Sequence, residues 1–268
     1  GSSSVLAAET WRLSNKLVNL TSENHKFLMK VKIPSDRIED AVPSRVVPIR
    51  SEDTKYDHIC GGSGIHHGAT PKGLPKALHH IYTFDTTDPK FPFKLSRRRY
   101  LPLFYGFAYN AGACAYRVVS DSKIKVIYME TEEVEPDFPY PGYPDEFVAT
   151  KVEIQKFPYE AKKLFYATIV DEYCLNEADE DQLEAELGSD FTQIGGHHRL
   201  TQGPPQIECK NPKCIWFDSL GSLEVFATVW NQPHEGIQLW SKEECDDIQV
   251  IFQICTECGT IHASNRCS

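Results

Sequence analysis

The first part of the chain carries apolar residues at helical spacing. Leu13, Leu17 and Leu20 recur at intervals of three or four residues, and Pro34 follows. Such spacing places apolar side chains on one face of a helix, and a proline ends it. We therefore predict one or two amphipathic helices within residues 1–44. The opening residues GSSS are typical of a leftover expression tag and are excluded from the fold prediction.

From Arg45 onward the pattern changes to short runs of β-branched and aromatic residues separated by glycine, proline and aspartate. Runs of this length and composition predict β-strands, and the polar turn SDSK predicts a hairpin between the last two. Four such runs are ALHHIYTFD (77–85), YLPLFYGFAY (100–109), ACAYRVVSD (113–121) and KIKVIYME (123–130). Their close spacing predicts an antiparallel meander.

Two acidic segments interrupt the strand-like pattern. Residues 130–147 combine prolines with carboxylates, which predicts an exposed loop because proline cannot donate to a sheet ladder. In residues 171–190, Leu183 and Leu187 lie four apart and Gly188 follows. This spacing predicts a short surface helix that ends at the glycine.

Two stretches repeat the same series of features. Residues 60–85 and 194–231 each contain a Gly-Gly, a His-His, a proline-rich turn and an alternating apolar run. Repetition of this kind indicates two related halves. The predicted fold class is α+β, antiparallel and β-rich, with an N-terminal helical segment at 1–44, a first half at 45–170 and a second half at 171–268. The second half is expected to end in a zinc-ribbon-like clip.

Composition and charge limit the function classes. The chain has 268 residues and a formal net charge of -10. Because phosphate groups are bound by clustered lysine and arginine, this charge argues against a nucleic-acid or anionic-membrane partner. The basic run KLSRRRY at 94–100 is typical of a solvated turn. No apolar run approaches the roughly 20 residues that a membrane-spanning helix needs.

The nine cysteines suggest the compartment and a metal site. Their number is odd and no export signal precedes them, which favours reduced thiols or metal ligands over a disulfide framework and predicts a cytoplasmic protein. Cys209 and Cys214 form one short pair, and Cys255 and Cys258 form another, followed by Gly259. Two such pairs predict four thiolate ligands for a zinc ion. Four protein ligands leave no open coordination position, so the zinc is expected to be structural.

Two alternatives for these cysteines stay open. The four could be unrelated buried thiols that bind no metal. If one of the four is not a ligand, three further residues could replace it, namely Cys245, His262 and Cys267.

The Gly-Gly and His-His motifs are weaker candidates for ligand-binding loops. Neighbouring residues of a strand face opposite sides, so each histidine pair can offer one side chain to a site. The candidate residues are Gly61, Gly62, His66 and His67 in the first loop and Gly195, Gly196, His197 and His198 in the second.

Cys60 carries the enzymatic alternative, because His58 and His66 lie near it in the sequence. A nucleophilic thiol is activated by an adjacent base, so this arrangement would suit a hydrolase or another small-molecule enzyme. No recognisable surroundings for a reactive thiolate accompany the cysteine. We therefore assign no catalytic residue and consider a non-enzymatic function the better interpretation.

Several segments carry a resemblance to a known family. QIGGHHRLTQ before a cysteine pair, GSLEVFATVWNQ after it and YLPLFYGF upstream resemble the YwqG-like family of bacterial proteins over about residues 55–268. His197 to Leu200 replace the proline and tryptophan that usually follow the second Gly-Gly of that family. The cysteine pairs are also similar to the zinc-containing C-terminal region of the programmed-cell-death-2-like proteins. These resemblances imply a duplicated antiparallel fold without established enzymatic activity.

The function predicted from these observations is a cytoplasmic protein-binding module stabilised by a structural zinc. A toxin-neutralising immunity protein is one such module that the family resemblance implies. The acidic segments would present a negative surface to a basic protein partner, since complementary charge speeds encounter and excludes wrong partners. The alternative is that these segments only keep the protein in solution.

Overall fold

The computed structural model describes eleven parts of the chain: residues 31–32, 38–49, 54–63, 67–95, 97–110, 112–170, 176–188, 190–202, 208–221, 223–241 and 248–267. Two α-helices lie in these parts, α1 (Tyr159–Val170) and α2 (Glu177–Leu187), together with a 3-10 turn at Ile38–Asp40. Neither helix is long and apolar enough to cross a membrane.

The strands of the described residues are β1 (Val31–Lys32), β2 (Ser44–Pro48), β3 (His58–Cys60), β4 (His79–Asp85), β5 (Lys94–Leu95), β6 (Tyr100–Tyr105), β7 (Cys114–Ser120), β8 (Lys123–Met129), β9 (Thr150–Lys156), β10 (Thr192–Ile194), β11 (Leu223–Trp230), β12 (Gln249–Cys255) and β13 (Ile261–Arg266). β1 pairs with β5. The other strands form one antiparallel sheet in the order β6-β4-β3-β9-β2-β10-β11-β12-β13-β7-β8. Strands from both predicted halves therefore share a single sheet.

The predicted α+β class is wrong, because the described chain is mostly β. The two helices pack beside the large sheet. They share a small apolar cluster that contains Phe157, Phe165 and Leu183, and this cluster is much smaller than the core of the sheet. Most of the predicted N-terminal helical segment lies outside the described residues. The described remainder of residues 1–44 contains strand residues and the 3-10 turn.

Several local predictions are confirmed. The four apolar runs form β4, β6, β7 and β8, and the acidic helix ends at Gly188, which adopts a φ of 87°. Residues 131–149 contain no helix or extended strand, as their prolines predict. Helix α1 was not predicted.

The predicted meander is wrong between β6 and β7, because β6 is the first strand in the order and β7 is the next to last. The sheet curves and brings these strands close together. The backbone N–H of Phe104 donates to the hydroxyl of Tyr116 at 3.0 Å, and that hydroxyl donates to the carbonyl of Pro102 at 2.9 Å. Buried aromatic rings such as Tyr82 and Phe252 fill the interior of this curve.

The strands β11, β12 and β13 have two different faces. One face carries Phe252, Ile254 and Ile261 and belongs to the apolar core. The opposite face carries a set of polar side chains, which we call the polar face: Thr228, Gln249, Gln253, His262 and Ser264. The alternation of side chains along paired strands accounts for the separation.

The two Gly-Gly motifs adopt the same local structure. Gly61 and Gly195 each follow a short strand and have φ values of 68° and 64°. Their backbone N–H groups donate to the carbonyls of Ile81 and Phe226 at 2.8 and 2.9 Å. Both acceptors lie at irregularities in strand pairing, between His80 and Tyr82 in β4 and between Val225 and Ala227 in β11. A positive φ favours glycine, which explains why this residue type occurs at both positions.

Candidate metal centre

Four buried cysteines from two parts of the chain form one cluster. Their sulfur atoms all lie within 4.8 Å of one another. The Cys209 and Cys258 sulfurs are 3.6 Å apart, and those of Cys214 and Cys255 are 3.8 Å apart. These separations are too long for disulfide bonds, and the four thiols are free. A tetrahedron with metal–sulfur bonds of about 2.3 Å has sulfur–sulfur edges of about 3.8 Å. The two measured separations match such an edge, so these four sulfurs are close enough to coordinate one metal ion.

The first cysteine pair lies in a tight series of turns. The Asn211 side-chain oxygen accepts a hydrogen bond from the backbone N–H of Lys213. The backbone carbonyl of Asn211 accepts one from the N–H of Cys214 at 2.8 Å. The carbonyl of Cys209 accepts a hydrogen bond from Asp218, which closes the segment. The Asn-Pro sequence favours such a turn, and the turn directs both sulfurs to the same side.

The second pair lies where β12 ends and the turn to β13 begins. The N–H of Gly259 donates to the Cys255 carbonyl at 2.8 Å, and the N–H of Cys255 donates to the Thr260 carbonyl at 2.9 Å. Gly259 has a φ of 67°, which an L-residue rarely adopts. The glycine thus allows the turn that places Cys258 beside Cys255.

Each sulfur also receives a hydrogen bond from a nearby group. The backbone N–H of Asn211 donates to Cys209, that of Trp216 to Cys214 and that of Cys258 to Cys255. The fourth sulfur, that of Cys258, receives a hydrogen bond from the Thr260 hydroxyl at 3.1 Å. Hydrogen bonds of this kind orient thiolate ligands and stabilise their charge.

The four thiols cannot all ionise without a cation. Hydrogen bonds from Cys209 and Cys255 hold the pKa of Cys258 well below that of an ordinary thiol. Burial raises the pKa of Cys214 to about 12. One negative charge is therefore stabilised in the cluster alone, whereas four thiolates need a metal ion at their centre. The donor set and its hydrogen bonds fit such an ion.

The chain next to the first cysteine pair exposes large apolar side chains. Ile215, Trp216, Phe217 and Leu220 have exposed fractions of 73%, 46%, 43% and 61%. We call these four residues the apolar turn. Sequence analysis did not single them out, although the run IWF directly after Cys214 carried the signal.

The other predicted ligand residues do not join the cluster. Cys245 lies outside the described residues, and His262 is buried on the polar face without being part of the four-sulfur group. Cys267 is disulfide-bonded. The expectation of reduced thiols or metal ligands therefore fits the six free cysteines of the described chain but not Cys267.

The two candidate ligand-binding loops lie apart. β3 and β10, which lead into them, are separated by β9 and β2, and each neighbouring pair is antiparallel. Three antiparallel pairings make β3 and β10 run in opposite directions, so their loops lie at opposite ends of the sheet. The described parts of the two loops therefore do not build one common site.

In the first loop, Gly62 borders a cavity of about 310 Å³ that His67 and His80 also line. His67 is exposed, and His66 lies outside the described residues. The ring of His80 is hydrogen-bonded at both nitrogens, to the Gly61 carbonyl at 2.9 Å and the Thr83 hydroxyl at 2.7 Å. It therefore has no free nitrogen for a ligand.

Cys60 is fully buried beside this loop, and burial raises the pKa of its thiol to about 12. His58, its neighbour on β3, bonds instead to the Asp88 carboxylate at 3.0 Å. A thiol that stays protonated and shielded from solvent is a poor nucleophile. The local geometry thus gives the enzymatic alternative no support.

In the second loop, Gly195 and Gly196 pack closely against Pro92 and Pro43. The His197 ring lies 3.8 Å from the Glu39 carboxylate, and the His198 ring bonds to the hydroxyl of Thr228 at 3.2 Å. Gly195 and Gly196 thus have a packing role, while His198 extends onto the polar face.

Comparisons of the chain with protein-family models, with curated proteins and with solved structures gave no match.

Proposed function

We propose that this chain is a protein-binding module whose contact surface is the apolar turn, held in place by a structural zinc ion on Cys209, Cys214, Cys255 and Cys258. The observation that carries the proposal is the position of the apolar turn on the cysteine cluster. Cys214 lies immediately before Ile215, and the backbone N–H of Trp216 bonds to the Cys214 sulfur at 3.5 Å.

Contact between apolar side chains and water is unfavourable, so exposed apolar surface of this kind indicates that a partner covers it. Contiguous apolar patches on soluble proteins often mark interaction sites, and tryptophan is enriched among the residues that dominate binding energy. A metal clip would keep the turn rigid before binding, so that little conformational entropy is lost on association. Rigidity and exposure together support a binding surface rather than a loosely packed loop.

The surrounding charges favour a partner that presents apolar side chains flanked by lysine or arginine. Lys210 lies over the ring of Tyr128 at 5.7 Å, and its charge is balanced by Glu208 and Asp218. The acidic segment begins two residues beyond Tyr128, with exposed carboxylates at Glu130, Glu132, Glu133, Glu135 and Asp137. An acidic border next to an apolar patch is complementary to a basic protein surface.

Paired variants test the surface. Trp216→Ser/Phe217→Ser removes the two largest side chains of the apolar turn, whereas Val148→Ser/Tyr159→Ser removes apolar side chains that are 75% and 77% exposed elsewhere. Trp216 and Phe217 are only 46% and 43% exposed, so their removal also costs some packing, and urea denaturation must show that both variants remain folded. Differences in binding then report the surface and not the fold.

The measurement is quantitative crosslinking in the native source, followed by binding of the purified partner. We expect a partner whose recovery is lost in the apolar-turn variant and kept in the control, with a dissociation constant at least about tenfold weaker for the former. Association should slow as salt rises. Equal recovery with both variants would overturn the proposal, and so would concentration-dependent self-association that depends on Trp216, since the surface would then bind a second copy.

A further inference from the structure

A cavity of about 330 Å³ lies between helix α2 and the strands β10 and β11. Glu180 and Glu184 line it from the helix, where residues four apart lie on the same side. Asp190, which follows the helix, adds a third carboxylate. The volume falls within the range of small-ligand sites in proteins, which begins at about 300 Å³.

Gln193 provides an acceptor in this cavity. The residue is 1% exposed and belongs to the cavity wall. Its side-chain nitrogen donates to the carbonyls of Gly195 and His197 at 3.1 and 2.7 Å, which fixes the orientation of the amide. Within the described chain no group donates to Gln193 Oε1, and this oxygen is not one of the unpartnered atoms that are shielded from solvent. It can therefore accept a hydrogen bond from a molecule in the cavity.

The sheet places an aromatic ring beside this acceptor. Gln193 pairs with Thr228 across β10 and β11, and Trp230 lies two residues further along β11 on the same face. Trp230 is half-buried and lines the cavity, to which Phe165 and Phe191 add further apolar surface. Aromatic faces attract ammonium and guanidinium groups, and tryptophan does so most strongly.

The charges of the cavity favour a cation. Three carboxylates line it, against one guanidinium, that of Arg199. Gly188, which ends helix α2, also lines the cavity, and the C-terminal end of a helix carries partial negative charge. A wall with an excess of negative charge concentrates positively charged molecules.

We propose that this cavity binds an ammonium or guanidinium group carried on an aliphatic chain. The cationic end donates to Gln193 Oε1 and to the carboxylates of Glu180 and Glu184. The aliphatic chain packs against Trp230, as the stems of lysine and arginine do on apolar surfaces. Groups of this kind occur in free amines and in the basic side chains of proteins.

The cavity is separate from the apolar turn. Leu223, the first residue of β11, packs on the cysteine cluster, whereas Trp230 is the last residue of this strand, about 20 Å away. Either proposal can therefore fail without the other.

NMR titration of the full chain at low salt tests the site. The probes are agmatine as a free amine and N-acetyl-arginine amide as a protein side chain, with N-acetyl-glutamine amide as the uncharged counterpart. The site variant is Glu180→Gln/Glu184→Gln. The matched control is Glu177→Gln/Asp181→Asn, which removes the same charge from exposed positions of the same helix outside the cavity wall.

We expect saturable binding of at least one cationic probe to the wild type and to the control, and at least about fivefold weaker binding to the site variant. The side-chain amide signal of Gln193 should shift during the titration, whereas that of Gln155, which bonds to Glu153 in β9, should not. Arg199→Gln removes a like charge, so it should bind the cation about two- to fivefold more tightly.

The two cationic probes distinguish the sources of the ligand. Binding of the blocked arginine would assign the cavity to a basic protein segment, and binding of agmatine alone would assign it to a free amine. The proposal would be overturned by no saturable binding of either cation or by equally tight binding of the uncharged probe. Equal weakening in the site and control variants would also overturn it, since net charge alone would then explain binding, and so would weaker binding to Arg199→Gln.

Discussion

The sulfur atoms of Cys209 and Cys258 lie 3.6 Å apart, although 49 positions separate the two cysteines in the sequence. This contact joins the turns of residues 208–221 to the end of the β12-β13 hairpin. Cys214 and Cys255 form the second such contact. The apolar turn follows directly after Cys214, so its position depends on the cluster. We therefore expect a bound metal ion to determine where the proposed binding surface lies.

The hydroxyl of Thr260 should tune metal affinity, since it lies 3.1 Å from the Cys258 sulfur. Thr260→Val keeps the shape of the side chain and removes its hydrogen bond. We expect zinc affinity to fall about 10- to 100-fold, as for other groups that support a ligand. Competition with a chromophoric chelator measures this. Thr192→Val removes another buried hydroxyl, which bonds to Tyr82, and should leave zinc affinity unchanged. Equal affinities for both variants would contradict the assignment.

The Gly61 position should tolerate no side chain. A Cβ atom there would lie 2.5 Å from the carbonyl oxygen of Val148, and φ is 68°. Gly73 also has a positive φ, of 84°, but nothing lies within 4 Å of its Cβ position. Gly73→Ala should cost about 1 kcal/mol of unfolding free energy from backbone strain alone. Gly61→Ala should cost more than about 3 kcal/mol because the backbone must also move. Urea denaturation of the pair compares the two, and similar losses would count against the packing described for this loop.

The protein should become less stable as the pH is lowered, because His234 is buried in its neutral form. Its ring accepts a hydrogen bond from the buried Tyr82 hydroxyl at 2.8 Å, and burial lowers its pKa from 6.5 to about 4. Between these values the unfolded chain binds the proton and the folded chain does not. The stability is present above pH 6.5 and is lost towards pH 4, by about 1.4 kcal/mol per pH unit.

The variant His234→Gln cannot titrate in this range. As the pH is lowered, its unfolding free energy should therefore decrease less steeply than that of the wild type. The two slopes should differ by about 1.4 kcal/mol per pH unit. Comparing the two slopes by urea denaturation removes the effect of acid on the cysteine cluster, which both proteins share. Identical slopes would show that His234 is not held neutral by burial.

Cys60 should resist thiol reagents. Its pKa is raised to about 12 and its side chain is fully buried. At neutral pH, alkylation of Cys60 in the folded protein should be much slower than that of a free cysteine, and mass spectrometry of digested protein can follow it. Labelling of Cys60 faster than free cysteine would restore the enzymatic alternative.

The sequence predicted the clustering of the four cysteines, whereas it predicted the wrong fold class. The spacing of a short cysteine pair is informative by itself, because one turn directs both sulfurs to the same side independently of the rest of the chain. The pairing of β2 with β9 and β10 joins Val46 to Ile154 and to Thr192, residues that are far apart in sequence. Such contacts depend on the packing of the whole sheet, and no local pattern records them.

Two local features were also missed for physical reasons. In helix α1, Ala161, Leu164 and Phe165 have helical spacing, but the run is short and ends in β-branched residues that favour strands. In β12, Gln249 and Gln253 stand among apolar residues, and the sequence does not tell whether their face meets solvent or is buried. The covering loop with His198 decides that, and it comes from elsewhere in the chain.

The measurement that tests the central claim most directly is the metal content of the purified protein, determined by mass spectrometry of the elements. We predict about one zinc per chain, lost together with the folded structure on chelation. Cys214→Ser and Cys258→Ser should lack the zinc, whereas Cys114→Ala, which changes a buried cysteine outside the cluster, should keep it. A folded wild-type protein without zinc, or with iron in its place, would contradict the account.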